Sequence, residues 1–208
     1  MSQPQYITDM LLRYGLQDCK PKHTPLPTAP ITPDEGFLAR NQEEEDAGIQ
    51  GEFRSKLGSL SFLATCTRPD ISAAVNTVAQ LSANAGPKAV DYVDHILRYL
   101  QSTRTHGILF SRTTGTLPNT KSNFDITPYA DSDYAADRSS RRSRSGGIIM
   151  MAEGPITWWS RLQKCVTLST SEAELEALVA DAGEHEVGDG LGGRAGLEGC
   201  VLEFEAAG

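Results

Sequence analysis

Two carboxylates, Asp131 and Glu174, are the residues of this sequence best placed to do chemistry. Asp131 lies in the segment YADSDYAADR (129–138), and Glu174 lies in STSEAELEAL (169–178). The pattern predicts one acid at the end of a strand and the other on the helix that follows. Carboxylate oxygens are ligands that Mg²⁺ prefers, and a cluster of them can hold paired ions around a scissile phosphate. The pair therefore indicates part of a metal site for phosphodiester hydrolysis.

Glu174 also has a simpler interpretation as a helix cap. Ser171 and Glu174 have the spacing of a capping box, in which the acid accepts a hydrogen bond from the amide of the cap residue. The local sequence alone favours this structural role over metal binding.

Basic residues follow the first acid at Arg138, Arg141, Arg142 and Arg144. Guanidinium groups match phosphate oxygens, so these side chains are candidates for contact with a nucleic-acid backbone. A solvated hairpin loop that serine and arginine keep soluble is the alternative, and the sequence favours neither.

Composition limits the possible classes of protein only loosely. The formal net charge is −8, but ten of the 27 acids and one of the 19 bases lie from residue 172 onward, so the first 171 residues carry +1. Charge therefore does not exclude a nucleic-acid partner. No apolar run is long enough to cross a bilayer, and the N-terminus lacks the layout of a signal peptide. We expect a soluble, intracellular protein without a membrane partner, and the sequence does not distinguish cytoplasm from nucleus.

The elements that position these residues begin with helices. Apolar spacing predicts a short helix over 5–16 and three amphipathic helices, over 52–66, from Arg68 to about Asn84, and over 88–102. Between the first and second of these, a Pro-rich and then acidic stretch predicts an extended linker over 20–50. The short connections between the last three predict a small helical bundle.

After residue 106 the apolar period changes to that of short strands. The segments GILFSR, NFDITPYAD, GGIIMMA and PITWWSR have this pattern, with a tight turn predicted at Glu153-Gly154 and a helix over about 171–184. Neighbouring strand residues point to opposite sides, so we expect one of Trp158 and Trp159 in the core and the other exposed. The order predicts an α/β fold, a helical segment followed by a sheet with a flanking helix.

Three blocks, in order, resemble the C-terminal part of the Pol polyprotein of copia-type LTR retrotransposons. SQPQYITDMLLRYGLQDCKPKHTPLP resembles the end of the reverse-transcriptase palm, the stretch beginning LGSLSFLATCTRPDI resembles the helices after it, and YADSDYAADR to STSEAELEAL resembles the first half of an RNase H domain. The resemblance implies a palm end at 1–19, the linker at 20–50, post-palm helices at 51–105, a partial RNase H-like domain at 106–186 and a divergent Gly-rich tail at 187–208.

The resemblance also implies a truncated RNase H-like mixed sheet that acts on RNA–DNA hybrids. Asp131 and Glu174 match the family's catalytic Mg²⁺ ligands, which reverses the preference for a cap at Glu174. The family's paired polymerase aspartates have no counterpart here, and Asp181 and Asp189 do not match its third RNase H aspartate. We therefore expect a catalytically incomplete Pol fragment with weak Mg²⁺ binding. A Mg²⁺-dependent RNase H and a non-catalytic nucleic-acid-binding module remain as alternatives.

Overall fold

In a computed structural model, the described part of the chain combines four α-helices with a three-stranded antiparallel sheet. The structure describes residues 1–28, 37–38, 49–110, 126–133, 140–164, 166, 169–170 and 173–174. The helices are α1 (Pro4–Arg13), α2 (Ile49–Cys66), α3 (Ser72–Ala79), which follows a 3₁₀ turn at Pro69–Ile71, and α4 (Pro87–Ser102); the strands are β1 (Ile126–Asp133), β2 (Arg144–Met151) and β3 (Gly154–Leu162). The predicted fold class, a helical segment followed by an α/β unit, is confirmed.

The helices form where the apolar spacing predicts them. Helix α4 begins at Pro87 after the extended residue Gly86, and the fixed φ of proline suits a first helical turn. Its buried residues recur at helical spacing and meet those of the other helices in one core. The core includes Ile7, Met10, Leu11, Phe53, Leu60, Leu63, Ile71, Val75, Val78, Val93, Ile96, Leu97 and Leu100. In the described part of the chain, no helix is long and apolar enough to cross a membrane.

A buried arginine fixes the start of α3. Arg68 is 1% exposed, and its guanidinium donates to both Asp70 carboxylate oxygens at 2.8 and 2.7 Å. It also donates to the carbonyl and hydroxyl oxygens of Thr103 at 2.9 and 2.7 Å. Burial acts to raise the pKa of Asp70, but bonds from Arg68 and Tyr99 outweigh it and lower the pKa. The sequence predicts Arg68-Pro69-Asp70 only as a helix start, whereas the structure makes it a link to the end of α4.

The segment after α1 lies along α4. Hydrogen bonds join the two: Lys22 N donates to Arg98 O (3.2 Å), Ser102 Oγ to Lys22 O (3.0 Å) and Gln101 Nε2 to Gln17 O (2.7 Å). The predicted linker begins inside this segment, and residues 29–36 and 39–48 lie outside the described residues.

The sheet has the order β1-β2-β3, and both pairs of described strands are antiparallel. The β2–β3 turn is centred on Ala152 and Glu153, whose φ angles are 50° and 63°, one residue before the predicted turn. In the described part of GILFSR, Gly107 forms a single β-bridge with Ser2 rather than a strand.

Candidate metal and nucleic-acid site

Asp131 lies on β1, as the sequence predicts. It pairs with Gly146 of β2, and its side chain is exposed. Its Oδ1 accepts a hydrogen bond from the backbone amide of Ser132 at 2.8 Å. Asp133, two residues further on, is also exposed and lies on the same face by strand alternation. The edge of the sheet therefore presents two carboxylates to solvent.

Glu174 lies on helical backbone that is joined to the sheet by Gln163. Nε2 of Gln163 donates to Ser145 Oγ and to the carbonyl oxygen of Ala173, each at 2.8 Å. Ala173 is fully buried, whereas Glu174 next to it is exposed. Gln163 thus fixes the backbone beside Glu174 against β2. A single glutamine after a strand gives no sequence signal for such a role.

The register brings this link close to Asp131. Ser145 precedes Gly146, the β2 partner of Asp131, and adjacent residues of a strand project from opposite faces. Gln163 therefore connects the Glu174 backbone to the face opposite Asp131, one residue away along β2. Among the described residues, no group of three or more histidine, cysteine or acidic side chains could hold a metal ion. Ser171, the partner in the predicted cap of Glu174, lies outside the described residues.

The predicted arginine cluster is described in part. Arg141 and Arg142 are exposed, and Arg141 has a positive φ of 57°. Arg144 is half-buried at the start of β2, where it pairs with Asp133 in the strand register. Arg138 lies outside the described residues. The two exposed guanidinium groups thus lie near the β1 end that carries the acids.

Both tryptophans are half-buried, so the expected contrast between a core and an exposed ring is wrong. Nε1 of Trp158 donates to the carbonyl oxygen of Ala64 in α2 at 2.6 Å, which joins the sheet to the helices. Trp159 packs directly over Gly147, where an added Cβ would lie 2.0 Å from the indole Cζ2. The two rings occupy opposite faces, as alternation requires, but each has a packing partner.

No protein-family model matches the chain, and no solved structure matches it significantly. The chain is 36% identical to the retrovirus-related Pol polyprotein from transposon TNT 1-94 of Nicotiana tabacum, over 84% of this chain and 12% of that protein. It is 34% identical to the Pol polyprotein from transposon RE1 of Arabidopsis thaliana, over 88% and 12% of the two lengths.

The chain aligns with most of the length of a third relative. The uncharacterized mitochondrial protein AtMg00810 of Arabidopsis thaliana is 34% identical over 88% of this chain and 70% of that protein. The chain therefore belongs to the family of the copia-type retrotransposon Pol polyproteins. It spans 12% of the length of the two Pol polyproteins above.

Proposed function

We propose that the chain is the region of a copia-type Pol protein that joins the end of reverse transcriptase to RNase H. In this proposal Asp131 and Glu174 bind Mg²⁺ as a partial ligand set, and the chain alone does not cleave RNA–DNA hybrids. Family membership supports the origin of the region, and the order of helices and then sheet agrees with the resemblance described above.

The structural observation nearest to the metal proposal is the Gln163 bridge. Its two bonds, to Ser145 and Ala173, fix the backbone beside Glu174 relative to the strand that pairs with Asp131. A carboxylate binds a cation better when its backbone is already positioned, because less conformational entropy is lost on binding. The bridge anchors the Glu174 backbone to β2 on the face opposite Asp131. The sharing of one ion by the two carboxylates is supported by the family resemblance.

The expected lack of cleavage follows from the chemistry of two-metal sites. Such sites stabilise both the attacking and the leaving oxygen with ions about 4 Å apart, which takes several carboxylates. Two exposed carboxylates can instead hold one hydrated Mg²⁺ weakly, because the ion keeps several of its waters. Asp181 and Asp189 follow in sequence, but neither stands in a motif that matches a third ligand.

The test measures Mg²⁺ binding and hybrid cleavage in the same protein preparation. We expect weak Mg²⁺ binding by NMR titration that Asp131→Asn abolishes, and no cleavage of a labelled RNA–DNA hybrid above background. Asp133→Asn is the matched control, since this acid lies on the same face of the same strand. Cleavage by wild type that Asp131→Asn abolishes would overturn the partial-site proposal in favour of a Mg²⁺-dependent RNase H.

Exposure of Arg141 and Arg142 favours a second function, contact with nucleic-acid phosphates. We expect the double change Arg141→Gln/Arg142→Gln to weaken hybrid binding and to lower the slope of log K against log salt by roughly 2, about 0.9 for each lost contact. Lys20→Gln is the control, because Lys20 is also exposed but follows α1 in the helical unit. An unchanged salt slope in the double variant would exclude phosphate contacts at these two positions.

A further inference from the structure

The side chain of Phe37 is inserted into the helical unit. It is 2% exposed and belongs to the apolar core cluster. Its ring meets that of Tyr92 edge-on, with the centroids 4.9 Å apart and an angle of 78° between the planes. The ammonium group of Lys88 lies 5.7 Å from the Phe37 centroid. Because Lys88 and Tyr92 both lie on α4, Phe37 anchors its own segment to that helix.

Backbone contacts accompany the burial of this ring. Leu38 forms an isolated antiparallel β-bridge with Ala85, and Gly86 N donates to Phe37 O at 2.7 Å. Backbone hydrogen bonds together with a pocket for a side chain are a common way for a protein to bind a peptide segment. The contact therefore has the form of a peptide in a binding site, with both partners in one chain. The site, named here the Phe37 pocket, consists of Ala85, Gly86, Lys88 and Tyr92.

The backbone of the Phe37 pocket has hydrogen bonds of its own. The carbonyl oxygen of Ala85 accepts a hydrogen bond from Gln50 Nε2 of α2 at 3.0 Å. The carbonyl oxygen of Gly86 accepts one from Ala89 N at 3.0 Å, in the first turn of α4. Neither bond involves the Phe37–Leu38 segment. The pocket can therefore keep its backbone in place when this segment leaves it.

The connections of the segment are long enough for it to reach another copy of the chain. Ten residues, 39–48, lie between Leu38 and the start of α2, and eight residues, 29–36, precede Phe37. Covalent geometry allows spans of at most about 35 and 28 Å for these lengths. Helix α4, with 16 residues, is about 24 Å long. Each connection can therefore span more than the length of the helix that carries the pocket.

We propose that the Phe37 pocket is a docking site between two copies of this chain, in which the Phe37–Leu38 segment of each copy fills the pocket of the other. Such an exchange keeps every contact in the pocket, because both copies have the same sequence. The single copy is favoured by the effective concentration of its own tethered segment, on the order of 1 mM for a short linker. We therefore expect the exchanged pair to have a dissociation constant of about 1 mM. The exchange does not depend on the proposed metal site.

An isotope-filtered NOE experiment tests the exchange without any substitution. An equal mixture of ¹³C-labelled and unlabelled protein at about 1 mM should give an NOE between the Phe37 ring of one copy and the Tyr92 ring of the other. Tyr6 and Phe62 are the matched control, since their ring centroids lie 5.2 Å apart and join α1 to α2. This control pair should give NOEs only within one copy. No NOE between copies for Phe37, or NOEs between copies for both pairs, would overturn the proposal.

Two complementary variants test the same contact without competition from within one copy. Phe37→Ala keeps the pocket but lacks the anchor, whereas Tyr92→Ala keeps the anchor and lacks one wall of the pocket. When unlabelled Tyr92→Ala is added to ¹⁵N-labelled Phe37→Ala, the Gly86 amide signal should shift toward its wild-type position, because this amide donates to Phe37 O. The double variant Phe37→Ala/Tyr92→Ala is the control donor and should cause no shift. An equal shift with the control donor would show that the anchor is not what binds.

Discussion

The helical unit and the sheet are stabilised by different kinds of contact. In the described helices, the buried apolar side chains form one cluster to which all four contribute. Among described residues from 126 onward, the buried apolar side chains are Ile149 and Ala173, and the buried polar ones are Ser143, Ser145, Ser160 and Gln163. The sheet therefore depends on directional hydrogen bonds where the helices depend on apolar burial.

This difference determines how each region tolerates change. Apolar burial is non-directional and is shared among many neighbours, so a core can repack around a substitution of similar volume. A polar contact such as that of Gln163 needs particular atoms at particular distances, and its loss leaves partners unsatisfied. Substitutions in the helical unit should therefore lower stability most at its buried charged residues. In the sheet, they should lower it most at single residues whose polar contacts no neighbour can replace.

Arg68→Ala tests the buried charge of the helical unit and has the largest expected effect. The change removes the charged donor from Asp70 and from both oxygens of Thr103, although Tyr99 still donates to Asp70 and His106 N to Thr103 O. A hydrogen bond from a charged donor contributes about 1.5–3 kcal/mol, and the two bonds to Thr103 are buried. Because solvent screens the pair with Asp70, we expect a loss of about 3 kcal/mol, measured as the free energy of unfolding in urea.

Arg54→Ala is the matched control for this change, because Arg54 bonds to Ser82 O at 3.2 Å in an exposed setting. We expect less than about 1 kcal/mol for the control. Similar losses in the two variants would show that burial of Arg68 contributes nothing beyond an ordinary hydrogen bond.

Gly147→Ala tests the sheet through one cross-strand contact. The added Cβ would lie 2.0 Å from the Trp159 ring, so the indole must move from its position. Overpacking of this kind costs about 1–3 kcal/mol, and a change in tryptophan emission should accompany it.

The adjacent Gly146→Ala supplies the control, because its Cβ would meet nothing closer than Trp159 O at 3.8 Å. We expect Gly146→Ala to unfold at nearly the wild-type urea concentration. If both alanine variants are destabilised equally, the cause is the loss of a glycine from the strand and not the contact with Trp159.

Asp70 in the helical unit should contribute to the pH dependence of the free energy of unfolding. Because folding lowers the pKa of Asp70, its stabilisation is present above the unfolded-state pKa of about 3.9 and is lost as pH falls through the lower folded-state pKa. Since 35% of the side chain is exposed, solvent screens the pair, and we expect about 1 kcal/mol or less.

Asp70→Asn should remove this part of the acid dependence, as measured by urea unfolding of wild type and variant between neutral pH and pH 2. An acid dependence that is the same in both proteins would contradict a lowered pKa at Asp70.

The sequence predicts the helices well because apolar spacing is a local property. The burial of Arg68 depends on Thr103, 35 residues away, and the Trp158 bond depends on Ala64, 94 residues away, so no local pattern reveals either contact. The placement of Asp131 on a strand follows from alternation, whereas the Gln163 bridge depends on tertiary packing. The metal roles of Asp131 and Glu174 remain predictions from the resemblance.

The turn between β2 and β3 shows why a glycine signal can mislead. The sequence predicts Glu153-Gly154 as the turn, but Gly154 is the first residue of β3, where an added Cβ would lie 2.6 Å from Leu109 O and from Phe110 Cδ1. Close packing, rather than positive φ, accounts for glycine at this position. Within this turn, the residues with positive φ are Ala152 and Glu153, neither of which is glycine.

Glu153→Gly should therefore stabilise the sheet, with the smallest expected effect. A non-glycine residue in the left-handed region costs roughly 1–2 kcal/mol, and glycine loses about 0.5–1 kcal/mol more conformational entropy on folding. The difference predicts a gain of about 0.5–1 kcal/mol in the free energy of unfolding. Glu153→Ala separates backbone from charge, since alanine removes the carboxylate but retains the left-handed strain at φ 63°. An equal gain from alanine would assign the effect to the lost charge and not to the turn.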